Sequence, residues 1–234
     1  MEFLLLGIGA AVVAVVGARR LRGSRDRHHE QVADLDAARR VAEEDVICFG
    51  EDLQHFGARH PAHDLDPVAA EELRTALAAY ESAEAHVDSM QSTDDISRVV
   101  DTLAEGRFAL ACSKARTDGV EVPTRRTPCY FNPQHGPAVE DVRWTRPGWG
   151  TRVVPACAQD AARARAGEHI DVRKVAVGGI RVPYWEAGEL LLPYVKGYFP
   201  ATPRDIRLDA TAVYFAPFDV PLPQADDQFK KWSP

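Results

Sequence analysis

Four side chains in the C-terminal half have the types and the spacing to do chemistry. Cys129 and His135 are separated by five residues that include Asn132-Pro133, and Gly136-Pro137 follows at once. Further along, Cys157 opens a short helical pattern, Gln159 to Ala166, with Asp160 one turn on and His169 beyond. A turn carrying two ligands, with a third at a helix start, is how treble-clef-like zinc sites are put together, because Zn²⁺ takes about four N, S or O donors in a tetrahedron. The set expected to hold zinc is therefore Cys129, His135, Cys157 and a fourth ligand drawn from Asp160, His169 or water. Asp160 is the first choice among these.

The pattern departs from the usual knuckle in two ways. Neither cysteine belongs to a C-x-x-C pair, and the Cys129 to His135 gap is long. Two other readings stand beside zinc. In one, Cys129 and Cys157 are core thiols and His135 bonds the backbone of a tight N-P-x-H-G turn. In the other, one cysteine is a nucleophile with His135 or His169 as its base, which would make the chain a thiol- or metal-dependent hydrolase built on Cys129, His135, Cys157 and Asp160. No phosphate-cradling glycine loop or dinucleotide fingerprint occurs, and Gly178-Gly179 belongs to a hairpin.

The elements that must position these residues follow from periodicity. From Thr127 onward short β-like runs alternate with turn residues. Lys174-Val175-Ala176-Val177, Gly178-Gly179 and Ile180-Arg181-Val182 read as a two-residue hairpin, since a Gly-Gly pair supplies the positive φ angles the turn requires. Pro183-Tyr184-Trp185, Tyr194, Tyr198 and Phe199 are expected to cover a small core.

Ahead of this module lies an acidic, helix-patterned stretch. Between His28 and Thr117 there are 19 Asp plus Glu against 8 Lys plus Arg, no Trp, and only Pro61 and Pro67 as prolines. Apolar residues recur in steps of three and four from Val32 to Phe56, the stripe of an amphipathic helix over about Arg25–Phe56. Gly57, His60 and Pro61 stop it. Asp66-Pro67 opens a second helix, with Asp66 as N-cap and Pro67 at the first helical position, and Leu73, Leu77, Tyr80, Ala83, Val87 and Met90 form its stripe. Ser92-Thr93-Asp94-Asp95 is a capping-box variant that opens a third, which Asp118-Gly119 ends. Short loops between the three predict an antiparallel bundle. Cys48 and Cys112 fall within these patterns as small buried hydrophobes, whereas His55, His60 and His63 straddle a helix end and read as solvated.

At the N-terminus Phe3 to Ala18 carries no charge. At about 1.5 Å per residue these positions rise roughly 24 Å, against a hydrocarbon core of about 30 Å, so a short transmembrane helix is expected, helped by local thinning and by snorkelling arginines. Arg19, Arg20, Arg22, Arg25 and Arg27 follow it, which by the positive-inside rule places the body in the cytoplasm and offers a cluster for anionic lipid heads. A cleaved secretory signal would carry its positive charge ahead of the apolar run, not behind it. A cytoplasmic body disfavours structural disulfides among the four cysteines, and an acidic first half excludes a nucleic-acid partner.

The expected fold class is thus α+β. A transmembrane anchor and basic segment occupies 1–24, an acidic helical domain 25–118, a small hairpin-rich α+β module 119–199, and a Pro-rich extension 200–234. The function expected of this arrangement is a membrane-tethered cytoplasmic scaffold that presents a surface to a protein partner.

The motif set C-x-F-x-P-x-H-G-P, V-x-W, V-P-x-C-x-x-D and V-P-Y-W-x-A-G, here Cys129–Pro137, Val142–Trp144, Val154–Asp160 and Val182–Gly188, resembles that of an uncharacterised bacterial family of membrane-anchored proteins. The similarity covers most of residues 1–200. It implies the same order of apolar segment, acidic helical region and motif-bearing module, and no activity. Asn132 stands where the family pattern has Asp, which argues against a carboxylate ligand at that position.

Overall fold

The computed structural model describes residues 2–146 and 150–199, with side chains over 28–145 and 150–199. Three long helices come first: α1 (Glu2–Arg59), α2 (Pro67–Asp88) and α3 (Ile96–Thr117). The starts of α2 and α3 are set by the residues the sequence marks out, whereas α1 runs from Glu2 rather than from about Arg25. The Asp66 side chain accepts from the amides of Val68 and Ala69, with Pro67 at the first helical position, and Ser92 and Asp95 close a reciprocal capping box ahead of α3.

The helices alternate in direction. Arg39 on α1 donates to the Met90 carbonyl just past the end of α2, while Phe49, further along α1, meets the Tyr80 ring, further back along α2. Ser113 near the end of α3 donates to the Ala69 carbonyl at the start of α2, and Arg116 pairs with Glu72 beside it. The apolar stripes meet inside: Ala42, Val46, Phe49, Leu53, Leu73, Ala76, Ala83, Val99 and Leu103 are all buried. Gly106 permits the approach, because a Cβ there would lie 2.8 Å from both the Phe49 ring and the Ala79 methyl.

The C-terminal part is two antiparallel hairpins and two short helices. Strands β1 (Glu140–Arg146) and β2 (Gly150–Ala156) pair with Val142 opposite Val154, and α4 (Ala158–Ala166) follows. Strands β3 (Lys174–Val177) and β4 (Ile180–Pro183) pair across Gly178-Gly179, whose φ values of 58° and 83° supply the turn. Helix α5 (Leu192–Tyr198) lies on α3 at Gly197, where a Cβ would come within 2.2 Å of Val100 Cγ2.

Two apolar cores result. The larger joins the three helices to Val175, Tyr184, Trp185, Leu191, Tyr194, Tyr198 and Phe199. The smaller, built on Cys129, Phe131, Val142, Val154, Ala156, Ala161 and Ile170, belongs to the β1–β2–α4 unit. Tyr130 and Trp144 pack against both, and Tyr130 stacks on Trp185 at 4.9 Å with an 11° interplanar angle. Aromatic area is what a module with strands this short has to bury.

One expectation is corrected. Among the described residues no helix is long and apolar enough to cross a membrane. The transmembrane part of the expected fold class, the single-pass assignment, the cell-membrane location and the cytoplasmic placement that rested on them are therefore withdrawn. The physical reason is length: the uncharged run from Phe3 to Ala18 falls short of the about 20 apolar residues that a hydrocarbon core requires. The backbone of α1 also continues from it without a break into a charged helix. The side chains of Phe3–Ala18 and of Arg19, Arg20, Arg22, Arg25 and Arg27 lie outside the described residues, as does the extension 200–234.

Candidate metal centre

The site is assembled from a turn and a helix start. Asn132 accepts at Oδ1 from the Gln134 amide at 3.0 Å, Pro133 fixes the next φ, and the chain closes through His135 N to Asn132 O (3.0 Å) and Gly136 N to Pro133 O (3.2 Å). Gly136, at φ 83° and ψ −159°, occupies a region that side chains avoid. It returns the backbone so that Cys129 N donates to Gly136 O at 3.0 Å and Pro128 bridges Pro137. The turn therefore holds Cys129 and His135 side by side.

The second half comes from the β1–β2 hairpin. Tyr130 N donates to Pro155 O, and Val139 N to Ala156 O, which lays the end of β2 against the turn. Cys157 is the N-cap of α4 in extended conformation, and Asp160 lies in its first turn. Turn, hairpin and helix start thus converge.

The ligand atoms of Cys129, His135, Cys157 and Asp160 all lie within 4.8 Å of one another, and this group could hold a metal ion. Asp160 Oδ2 is the hub. It accepts from the Cys129 thiol at 3.2 Å, lies 2.9 Å from His135 Nδ1, and is 3.5 Å from Cys157 Sγ, which is itself 3.6 Å from His135 Nδ1. A tetrahedral ion with bonds of about 2.0–2.3 Å sets its donors roughly 3.3–3.8 Å apart, so these edges are within a few tenths of an ångström of a coordination shell. Cys129 and Asp160 are fully buried while Cys157 and His135 are partly exposed.

The electrostatics show what a metal-free site must tolerate. Asp160 Oδ1 is buried with no hydrogen-bond partner, and Arg163 approaches it only to 3.5 Å, with a side chain one-third exposed. The two thiols are pushed apart. Cys157 is lowered, chiefly by the hydrogen bond from the Cys129 thiol and also by His135 and the Asp160 amide, whereas the Cys129 thiol is raised by that pairing and by burial. His135 is raised from its usual 6.5, first through its hydrogen bond with Cys157 and then, against burial, by the Asp160 charge. A buried carboxylate, two thiols and an imidazole at contact distance form a donor set suited to a soft divalent ion.

His169 is elsewhere: it is largely exposed and lies 3.4 Å from Asp171, so among the expected fourth ligands it is Asp160 that joins the cluster. The Asn132 side chain is used up in the turn. His63 is largely exposed, and His60 packs on the Phe56 ring at 5.0 Å. Cys112 is buried in α3 and Cys48 partly buried in α1, both as free thiols.

A second polar centre is one that sequence reasoning missed. Asp45, fully buried on α1, accepts at Oδ1 from Gln134 Nε2 (2.7 Å) and Arg173 (2.8 Å), and at Oδ2 from the hydroxyls of Tyr194 (2.7 Å) and Tyr198 (2.9 Å). Arg107 donates to the Asp45 carbonyl and to Tyr198 Oη, and Arg173 also pairs with Glu44 at 2.9 Å. Burial, followed by the Asp45 charge, raises both tyrosines, so they stay protonated as donors. A signal existed. Asp45 falls seven residues after Ala38 and four before Phe49, on the apolar stripe itself, and Arg107 falls between Leu103 and Leu110. A charge on a buried helical face needs a partner.

Compared with known protein families, with characterised proteins and with solved structures, the chain finds no match.

Proposed function

We propose that Cys129, His135, Cys157 and Asp160 hold a structural zinc ion, and that the chain is a scaffold whose work is to present a surface to a protein partner. The observation that carries the metal assignment is the mutual approach of the four ligand atoms to within 4.8 Å, with the Cys129, His135 and Cys157 donors all converging on Oδ2 of the buried Asp160. Two sulfurs, one imidazole nitrogen and one carboxylate oxygen match the ligand preferences of zinc better than those of magnesium or calcium, which take oxygen donors. The order of turn, hairpin and helix start accords with the treble-clef-like arrangement expected from the ligand spacing.

A structural role follows from the number of ligands. Four protein donors complete a tetrahedron, whereas a metal-dependent hydrolase keeps a position for water or substrate. The Asp45 centre supports the same reading, because its carboxylate, arginines and tyrosines are spent on one another inside the core. What is left for recognition is the exterior.

The test is elemental analysis of the full chain, purified under reducing conditions without chelator. The expected result is about one zinc per chain, lost in Cys129→Ser and Cys157→Ser and kept in Cys48→Ser and Cys112→Ser. A natively folded chain with no metal and four titratable thiols would overturn the assignment.

A further inference from the structure

We propose that Cys129 and Cys157 are a reversible thiol–disulfide pair, so that a peroxide turns the centre into a Cys129–Cys157 disulfide and expels its ion. The proposal adds regulation to the zinc reading and rests on it for the ion that is released.

Four observations carry it. Both sulfurs converge on one oxygen, Asp160 Oδ2, at 3.2 and 3.5 Å, and both belong to a group whose ligand atoms lie within 4.8 Å of one another. The two backbone segments are tied together by Tyr130 N to Pro155 O at 2.8 Å and Val139 N to Ala156 O at 2.9 Å, so the sulfurs are held close whether or not a metal is bound. Exposure is asymmetric, with Cys157 reachable from solvent and Cys129 fully buried. Finally, Cys48 and Cys112 sit on α1 and α3, outside this group. An S–S bond of about 2.05 Å requires the two sulfurs to close by under about 2 Å from their separation on a tetrahedral ion.

The steps balance with hydrogen peroxide as the oxidant. The Cys157 thiolate attacks one peroxide oxygen, the O–O bond breaks, and the products are Cys157 sulfenic acid and hydroxide. The Cys129 thiolate, still beside it, then attacks the sulfenic sulfur. The S–S bond forms, the S–O bond breaks, and a second hydroxide leaves. Each sulfur gives up one electron and the peroxide takes both. The ion is left with His135 and Asp160 alone, half of its ligand set, and dissociates. A dithiol reductant reverses the change by exchange at the disulfide, after which zinc rebinds.

The experiment uses the full chain loaded with zinc and exposed to hydrogen peroxide. Released zinc is followed with a chromogenic chelator, and disulfides are mapped by mass spectrometry of unreduced peptides. The expected result is loss of the bound zinc in step with a Cys129–Cys157 disulfide, unchanged in a Cys48→Ser/Cys112→Ser variant and reversed by dithiothreitol plus zinc. Zinc retained while Cys48 or Cys112 oxidises would overturn the proposal, as would zinc lost with Cys157 over-oxidised and no disulfide. If the untreated chain takes up no zinc, the metal assignment fails by itself. Disulfide mapping then still decides: the pair stands if Cys129–Cys157 forms and falls if it does not.

Discussion

Gln134 and Asp45, 89 positions apart in the chain, meet through a 2.7 Å hydrogen bond from the Gln134 amide nitrogen to Asp45 Oδ1. Gln134 is the residue before His135 in the ligand-bearing turn, and Asp45 is the buried centre of α1. The bond therefore ties the candidate metal centre to the helical core. Replacing Gln134 by Ala should cost about 1.5–3 kcal/mol, the range for a hydrogen bond to a charged group, and Gln134→Glu should cost more because it sets a second carboxylate against Asp45. Urea unfolding midpoints of the two variants check both magnitude and order.

Asp45 balances two buried arginines. Asp45→Ala removes the carboxylate that pairs with Arg173 at 2.8 Å and the charge beside buried Arg107, which keeps its bond to the residue-45 carbonyl, and should destabilise by about 3–5 kcal/mol. Asp45→Asn keeps the shape but turns an NH₂ group toward donors, on whichever side it faces, so it should also be strongly destabilising. Denaturant titration of each checks this, and an Asn variant as stable as the parent would contradict the network as described.

Two helical glycines should respond to alanine with opposite sign. At Gly197 a Cβ would meet Val100 Cγ2 at 2.2 Å and the Ser97 carbonyl at 2.9 Å, whereas at Gly57 nothing lies within 4 Å. Gly197→Ala should therefore destabilise by about 1–3 kcal/mol through overpacking, and Gly57→Ala should stabilise by up to about 1 kcal/mol through helix propensity. Thermal melts of the pair measure the contrast.

Asp95 gives a pH dependence. Its Oδ2 accepts from the amides of Gln91 and Ser92, both at 2.9 Å, and these bonds hold its pKa below the usual 3.8. A carboxyl whose folded pKa is depressed adds stability that is present above its unfolded value and lost as pH falls through the folded one. The stability gap between the parent and Asp95→Ala, about 0.5–2 kcal/mol for a helix cap, should hold above pH 3.8 and narrow below it. Unfolding midpoints of both proteins across the acid range would reveal this.

Much of the architecture could be read from local signals. Asp66-Pro67, the Ser92–Asp95 box and Gly178-Gly179 act through their own neighbours, so their spacing alone locates a helix start or a hairpin. The four clustered side chains were legible by residue type and offset, with Asp160 already ahead of His169, and the coordinates bring Asp160 into the group and leave His169 outside it. The β1–β2 hairpin was not singled out, although it is what brings Cys157 back to Cys129. The Asp45 centre was half legible: a charge on the apolar stripe marks a buried group, but its partners come from 62 to 153 positions away, and no local pattern names them. The run Phe3–Ala18 resembles a span in its lack of charge but is shorter than the about 20 apolar residues that a hydrocarbon core requires.

Cobalt substitution tests the central claim most directly. The full chain, freed of metal under reducing conditions and titrated with Co²⁺, should saturate at about one equivalent and give the intense visible d–d absorption of a tetrahedral ion together with a thiolate-to-cobalt charge-transfer band. That band should weaken in Cys157→Ser and be unaffected in Cys48→Ser. A spectrum without charge transfer, or with the faint bands of octahedral cobalt, would contradict a centre built from Cys129, His135, Cys157 and Asp160.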